Sequence, residues 1–194
     1  AGMRNNSGRR KKAPGVLRRN GLSKRDIDGF VEQVTGGKAN IQGIEGLTRL
    51  QDGSLFRNLL ANPGDPYLRR VLFSFGEREA LNRFLVAVQQ VVDRHDILRT
   101  AFIWDRLPEP AQVVLRKATL QVTERAFDPA TGPVAAQLMA SVDPTHHRVD
   151  LSRAPLLRYD IAHDAGDDRW YVVQRMHHLL VDHSGMDVFR DVVN

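Results

Sequence analysis

The sequence predicts an α/β domain in which helices cover a mixed sheet, and two patterns carry this prediction. The first is a strand-like stretch at 67–75 followed by a helical apolar stripe within 76–95, which is typical of layered α/β folds. The second is a pair of strand-like stretches at 155–164 and 168–176, joined by the turn residues 165–167. Strands joined by so short a turn run antiparallel, so the sheet cannot be purely parallel.

The first part of the chain predicts linkers and two short helices. Residues 1–21 are expected to be a basic tail and linker, whose Ala-Gly-Met start is typical of a cloning remnant. A capped helix is expected within 22–34, and "TGGKANIQG" at 35–43 is typical of a linker. A second short helix is expected over Leu50–Leu60, because the breaking residues Asn-Pro-Gly at 62–64 follow it.

The remaining elements follow from changes in hydrophobic period. The helix within 76–95 carries an apolar stripe made by Leu81, Phe84, Leu85, Val88, Val91 and Val92. Strands are expected over 96–104, 111–117 and 119–127, a helix over 133–143, and then the late strand pair. A last helix is expected to begin at Ser184. The predicted order from residue 67 is β-α-β-β-β-α-β-β-α.

Composition limits the classes of partner. Seven cations and no acid lie in residues 1–20, and removing them from the net charge of +5 leaves −2 on residues 21–194. The tail lacks interleaved aromatic residues, so we expect a solvated linker and no nucleic-acid partner. Cysteine is absent and no apolar run approaches the roughly 20 residues that span a bilayer. We therefore expect a cytoplasmic protein with no membrane partner.

Three histidines and one aspartate occupy the seven positions of "HHLLVDH", residues 177–183. If the preceding strand keeps its period of two, His177 and His178 point to opposite faces. A metal would then be held by His178, Asp182 and His183, but no cysteine or glutamate stands beside them, so we predict no metal. Two other interpretations stay open from the residues alone: proton transfer through one neutral imidazole, or a packed histidine pair without chemistry.

Four segments together resemble one family. "MHHLLVDHSG" at 176–185 resembles the His-His-x-x-x-Asp-Gly signature of condensation domains in nonribosomal peptide synthetases, and "RHDILRTAF" at 94–102 is similar to a second motif of these domains. "IEGLTRLQDGSLFRNLLANPGDPYL" at 44–68 resembles their opening segment, and "DLSRAPLLRYDIA" at 150–162 resembles the strand before the histidine pair. The four segments occur in the family order over residues 41–190.

The resemblance implies a chloramphenicol-acetyltransferase-like fold, in which two lobes form a V and the active site lies in the tunnel between them. Residues 41–194 would be the N-terminal lobe, without the C-terminal lobe, and 22–40 would be the linker from an upstream carrier domain. The implied reaction is amide formation between a donor acyl or peptidyl thioester and an acceptor aminoacyl thioester. The implied partners are upstream and downstream carrier domains, the second lobe and an adjacent adenylation domain. The lobe itself would bind no cofactor, since both substrates arrive on phosphopantetheine arms.

The resemblance also implies roles for the site residues. His178 would be catalytic, either orienting the acceptor amine or taking its proton, and His177 would be structural. Asp182 would support the loop by pairing with an arginine of the second motif, either Arg99 or Arg94. Losing one partner of such a buried pair costs about 3–5 kcal/mol, so loss of activity on substituting Asp182 would not by itself indicate catalysis.

The sequence departs from the family signature after the aspartate. His183 stands where glycine is usual, and its imidazole is expected to narrow the substrate tunnel that His183, Ser184 and Gly185 would line, to alter the acceptor site or to disable it. Two alternative functions follow: a degenerate module that only recruits carrier or tailoring proteins, or a related acyltransferase with an alcohol acceptor. The isolated lobe is expected to be inactive under every interpretation, because half of the tunnel is absent.

A second departure concerns dual epimerisation and condensation domains, which carry His-His-Leu-x-x-x-x-Gly-Asp near the segment at 56–65. Here Arg57 and Asn58 stand in place of the two histidines, whereas Gly64 and Asp65 match. Removing a proton from an α-carbon needs a base, and neither replacing residue supplies one near pH 7. The sequence therefore predicts no epimerase activity.

Overall fold

The computed structural model describes residues 28–29, 31–32, 34–61, 63–105 and 107–180. The described helices are α1 (Arg49–Leu60), α2 (Arg78–Arg94) and α3 (Val134–Ala140). The strands are β1 (Ile41–Gly46), β2 (Leu68–Phe75), β3 (Thr100–Ile103), β4 (Ala111–Leu115), β5 (Gln121–Glu124), β6 (Leu157–Asp164) and β7 (Arg169–His177). None of the helices in this part of the chain is long and apolar enough to cross a membrane.

The strands form two sheets. One has the order β1-β4-β3 and is antiparallel throughout, and the other has the order β2-β7-β6-β5. In the larger sheet β6 and β7 are antiparallel neighbours, as the late strand pair predicts, whereas β5 runs parallel to β6. The predicted mixed sheet is confirmed for the larger sheet, but the structure adds a second, smaller sheet that the sequence pattern did not separate.

The predicted order of elements holds from β2 to β7, and the helix expected over Leu50–Leu60 is α1. The assignment of residues 35–43 to a linker is wrong at its end, because β1 begins at Ile41. Its sequence, IQGIEG, contains two glycines, which lower strand propensity, and the strand forms by pairing with β4. The last predicted helix lies outside the described residues, as does most of the helix expected within 22–34.

Strand β7 is central to the larger sheet and its two faces meet different helices. Val172 packs in the main core with the buried stripe of α2, which includes Leu81 and Val88. Val173 packs on the opposite face against Leu138 of α3. Burial on both faces excludes water from the strand and fixes its register, so the residues at its end are held on a rigid element.

Helix α1 crosses near the end of β7, and its start is fixed by side chains. Thr48 accepts a hydrogen bond from the backbone amide of Gln51, and the Gln51 side chain accepts one from the amide of Thr48. This capping box satisfies two amides that the helix itself leaves unpaired. The helix buries Leu55 and Asn58 on its inner side and leaves Phe56 and Leu60 exposed.

Candidate functional site at the end of strand β7

His177 is the last residue of β7 and is fully buried. It pairs in register with Leu68 of β2, and its backbone amide donates to the carbonyl of Leu156. The backbone amide of Leu179 donates to its Nδ1 at 3.2 Å. Because Nδ1 accepts this hydrogen bond, we assign the proton of the neutral ring to Nε2.

The Nε2 edge of His177 meets a buried polar cluster. Nε2 lies 3.4 Å from Oδ1 of Asp65 and 3.2 Å from Nδ2 of Asn58. Asn58 donates from Nδ2 to the same Asp65 oxygen at 2.9 Å, and its own Oδ1 accepts from Arg148 at 2.9 Å. These two contacts fix the orientation of the Asn58 amide, with its nitrogen toward Asp65 and His177. We call Asn58, Asp65 and His177 the buried triad.

Asp65 is a buried carboxylate within this triad. Burial raises the pKa of Asp65, but the contact with His177 and the amides of Tyr67 and Val149 more than offset this effect. The pKa therefore lies below the ordinary value, so the group is ionised near pH 7. Its Oδ2 accepts no hydrogen bond of good geometry from the described residues.

Gly64 sets the backbone that presents Asp65. Its φ is +99°, and a Cβ added there would lie 2.6 Å from the carbonyl oxygen of Pro144. The next amide, that of Asp65, donates to this same oxygen at 2.7 Å. Glycine is required because the loop has both a left-handed conformation and a close backbone approach.

His178 follows the strand and begins a short 3-10 turn, His178–Leu180. Its amide donates to the carbonyl of Tyr67 at 2.8 Å, and the two rings meet edge-to-face at 6.4 Å between centroids. His178 is partly exposed, whereas Leu179 and Leu180 are buried. His178 is therefore the more accessible of the two neighbouring histidines.

The two candidate arginines have different surroundings. Arg99 is buried, and its guanidinium contacts the Asp96 carboxylate. It also donates to three backbone carbonyls, those of Val92, Asp93 and Leu115. Arg99 thus caps the C-terminal end of α2, where carbonyls lack helical partners. Arg94 is exposed at the last position of that helix.

Four predicted site residues, Asp182, His183, Ser184 and Gly185, lie outside the described residues. The pairing of Asp182 with Arg99 or Arg94 and the lining of a tunnel therefore stay predictions. Within the described part of the chain, no three histidine, aspartate or glutamate side chains gather as a metal site would need.

Asn58 and Asp65 were not predicted from the sequence as members of the site. In the sequence, Asn58 stands out only as a residue in place of a histidine, and Asp65 only as a match to a motif. A signal was present, because a buried Asn and Asp seven residues apart around a Gly-containing turn need polar partners. The sequence could not name His177 as that partner, since it lies 119 residues from Asn58.

Comparison with known proteins gives one consistent result. The family model for the condensation domain matches residues 41–191. Malpinin synthetase of Mortierella alpina is 54% identical over 167 residues, which cover 86% of this chain and 2% of that protein. Malpibaldin synthetase of the same organism is 50% identical over 172 residues, which cover 89% of this chain and 3% of that protein.

A solved structure agrees in fold. The starter condensation domain of rhizomide synthetase RzmA superposes with a TM-score of 0.56 at 24% identity, over 78% of this chain and 38% of that one. At this identity the match shows the fold alone, which is the chloramphenicol-acetyltransferase-like fold expected from the resemblance. The 38% coverage fits one lobe of a two-lobe domain. The chain spans only 2–3% of the length of the two curated relatives.

Proposed function

The chain belongs to the condensation-domain family of nonribosomal peptide synthetases, and from this premise we propose that it supplies the histidine side of a site for amide formation. In the proposed reaction the acceptor amine attacks the donor thioester carbonyl, a C–N bond forms and the C–S bond breaks. The amine loses one proton and the departing thiolate gains one. The imidazole of His178 orients the amine or carries this proton.

The observation that carries the proposal is the contrast between the two neighbouring histidines. His177 is buried with its tautomer assigned by a backbone amide, whereas His178 is a partly exposed residue at the end of a central strand. A group that transfers a proton must be accessible and held in a fixed position, and the partial exposure of His178 and its backbone hydrogen bond to Tyr67 support this role. His177 is proposed as structural.

The remaining parts of the proposal follow from the family. Residues 41–194 are the N-terminal lobe and 22–40 the linker from a carrier domain. Carrier domains on both sides, a second lobe and an adenylation domain are the proposed partners, and phosphopantetheine arms deliver both substrates. Asp182 is proposed to support the loop through Arg99 or Arg94, and His183, Ser184 and Gly185 to line the tunnel.

The absence of epimerase activity belongs to the same proposal. The amide of Asn58 contacts Asp65 and Arg148, so this position offers no base to an α-carbon. Products should therefore keep the donor stereochemistry that the upstream domain delivers. Chiral analysis of the dipeptide after single turnover is the measurement, and an epimerised donor residue would contradict the proposal.

Replacing His178 by Ala tests the proposed function in the full-length protein that carries this segment. With both carriers loaded, we expect the single-turnover rate of amide formation to fall by about 10²- to 10⁴-fold, the usual contribution of a general acid-base group. The measurement is the mass of the acceptor carrier over time. His146→Ala is the matched control, because His146 is exposed on the loop after α3. An unchanged rate for His178→Ala would mean that His178 is dispensable for amide formation and would contradict the proposal.

A further inference from the structure

We propose that Asp65 is a positioning residue for His178, acting through its contacts with Tyr67 and His177. The inference rests on the proposed function and deepens it, because it says what holds the reactive imidazole in place. Asp65 lies in the loop between α1 and β2, where the notable features are its burial and a single oxygen atom that serves several neighbours.

The first connection runs through Tyr67. The Asp65 Oδ1 accepts from the backbone amide of Tyr67 at 3.1 Å, which turns the chain so that the Tyr67 carbonyl faces β7. That carbonyl accepts the amide of His178 at 2.8 Å. The Tyr67 ring also lies between the two histidines, with its centroid 6.1 Å from that of His177 and 6.4 Å from that of His178. Asp65 therefore fixes both the backbone and the ring that His178 touches.

The second connection runs through His177. Its Nε2 edge faces the Asp65 Oδ1, and its Nδ1 accepts from the amide of Leu179. With the ring proton on Nε2, which lies 3.4 Å from the Asp65 Oδ1, Nδ1 accepts the amide of Leu179 within the 3-10 turn that begins at His178. The backbone of His178 is thus held by the carbonyl of Tyr67 and by the turn that His177 closes, and Asp65 contacts both Tyr67 and His177.

Asp65 is itself held from the other side. Asn58 donates to its Oδ1 from helix α1, and Arg148 donates to both the Asn58 side-chain oxygen and the Asn58 backbone carbonyl. Asp65 gives its amide to the carbonyl of Pro144. The loop after α3 and helix α1 therefore clamp the carboxylate that positions the site, as a preorganised site requires.

Two substitutions at Asp65 separate the effect of its hydrogen-bond acceptor from the effect of its charge. In Asp65→Asn the side-chain oxygen can occupy the Oδ1 position and accept from Tyr67 and His177 as before. Asp65→Ala removes the acceptor altogether. If positioning acts through the acceptor, the Asn variant should keep its rate of amide formation and the Ala variant should lose it. A general loss of stability would not produce this difference between the two variants.

The test measures single-turnover amide formation in the full-length protein, with the acceptor-carrier concentration varied. We expect Asp65→Ala to lower the maximal rate by about 10- to 100-fold, the effect of misplacing a catalytic group by about 1 Å, with the acceptor KM unchanged. Asp65→Asn should stay within about fivefold of the unmodified protein, because it keeps the acceptor. The control is Asp160→Asn, which alters the other fully buried carboxylate on the α3 face of the sheet. It should lose stability and keep its rate.

A second measurement does not depend on activity. Nitrogen chemical shifts of the His177 ring should show an unprotonated Nδ1 and a protonated Nε2 in the unmodified and Asp65→Asn proteins, and a tautomer mixture in Asp65→Ala. Full activity of Asp65→Ala, or equal rate losses in Asp65→Ala and Asp160→Asn, would overturn the inference. So would an Asn variant as slow as the Ala variant. An unchanged rate in His178→Ala, with the tautomer change still seen, would overturn the proposed function and not the hydrogen-bond network.

Discussion

Two carboxylates are fully buried in the described lobe, and their surroundings differ. Asp160 of β6 meets two guanidinium groups, with Arg125 at 2.8 Å from Oδ1 and Arg175 at 2.7 Å from Oδ2. Asp65 makes no ion pair with a guanidinium of the described residues; an amide side chain, two backbone amides and the ring of His177 surround it. One carboxylate has a charged partner at each oxygen, and the other has, within the described part of the chain, a well-formed partner at only one.

The difference in partners indicates a different role for each carboxylate. The two arginines offset the cost of desolvating Asp160, so the burial of this carboxylate is explained by its partners in and beside the sheet. An unsatisfied buried acceptor costs about 1–3 kcal/mol, and among the described residues Oδ2 of Asp65 accepts no hydrogen bond of good geometry. Natural proteins keep such costs at functional sites, and the position of Asp65 beside the histidine pair fits that explanation.

The largest effect on stability is expected at Asp160. Asp160→Ala leaves Arg175, whose side chain is only 14% exposed, without its carboxylate, so we expect a loss of about 3–5 kcal/mol in the free energy of unfolding. Chemical denaturation measures it. Asp150→Ala is the control, because Asp150 and its partner Arg153 are both exposed, and it should change stability by less than about 1 kcal/mol. If Asp160→Ala cost as little stability as Asp150→Ala, the contrast between Asp160 and Asp65 would be removed.

A smaller loss is expected at Gly64, which presents Asp65 to its partners. Gly64→Ala forces a left-handed residue to carry a Cβ against the Pro144 carbonyl, so we expect a loss of about 1–3 kcal/mol. Gly53→Ala is the matched control. Gly53 lies within α1 with nothing near its added Cβ, and the change should stabilise the protein by about 0.5–1 kcal/mol. If Gly64→Ala stabilised the protein as Gly53→Ala does, the loop at Gly64 would accommodate a Cβ without strain.

The elements with strong local patterns were predictable from the sequence. The stripe from Leu81 to Val92 and the alternation before His177 gave α2 and β7, because each periodicity reflects the face that is buried. Strand β1 was missed because its pairing with β4 comes from tertiary contacts and its two glycines hide the pattern. The division into two sheets was missed for a related reason, since alternation shows that a strand is half-buried but not which strand it joins.

The candidate site was predictable only in part. The spacing of His177 and His178 located the end of β7 and gave each ring a different face. The buried triad was not predictable, because Asn58 and His177 meet only through the register that sets Leu68 opposite His177. Residues that position a catalytic group from another element leave no local pattern, so they must be found from the structure.

The smallest expected effect is on the pH dependence of stability, and it tests the surroundings of Asp65. Its pKa in the folded protein lies below the ordinary 3.8, so its contribution to stability is present above about pH 4 and is lost as the pH falls through the folded pKa. Asp65→Asn cannot take up this proton, so the free energy of unfolding of this variant should fall less between pH 5 and pH 2.5 than that of the unmodified protein. Denaturation curves at several pH values measure it. Identical acid slopes would mean that Asp65 is no better stabilised as a carboxylate in the folded lobe than in the unfolded chain.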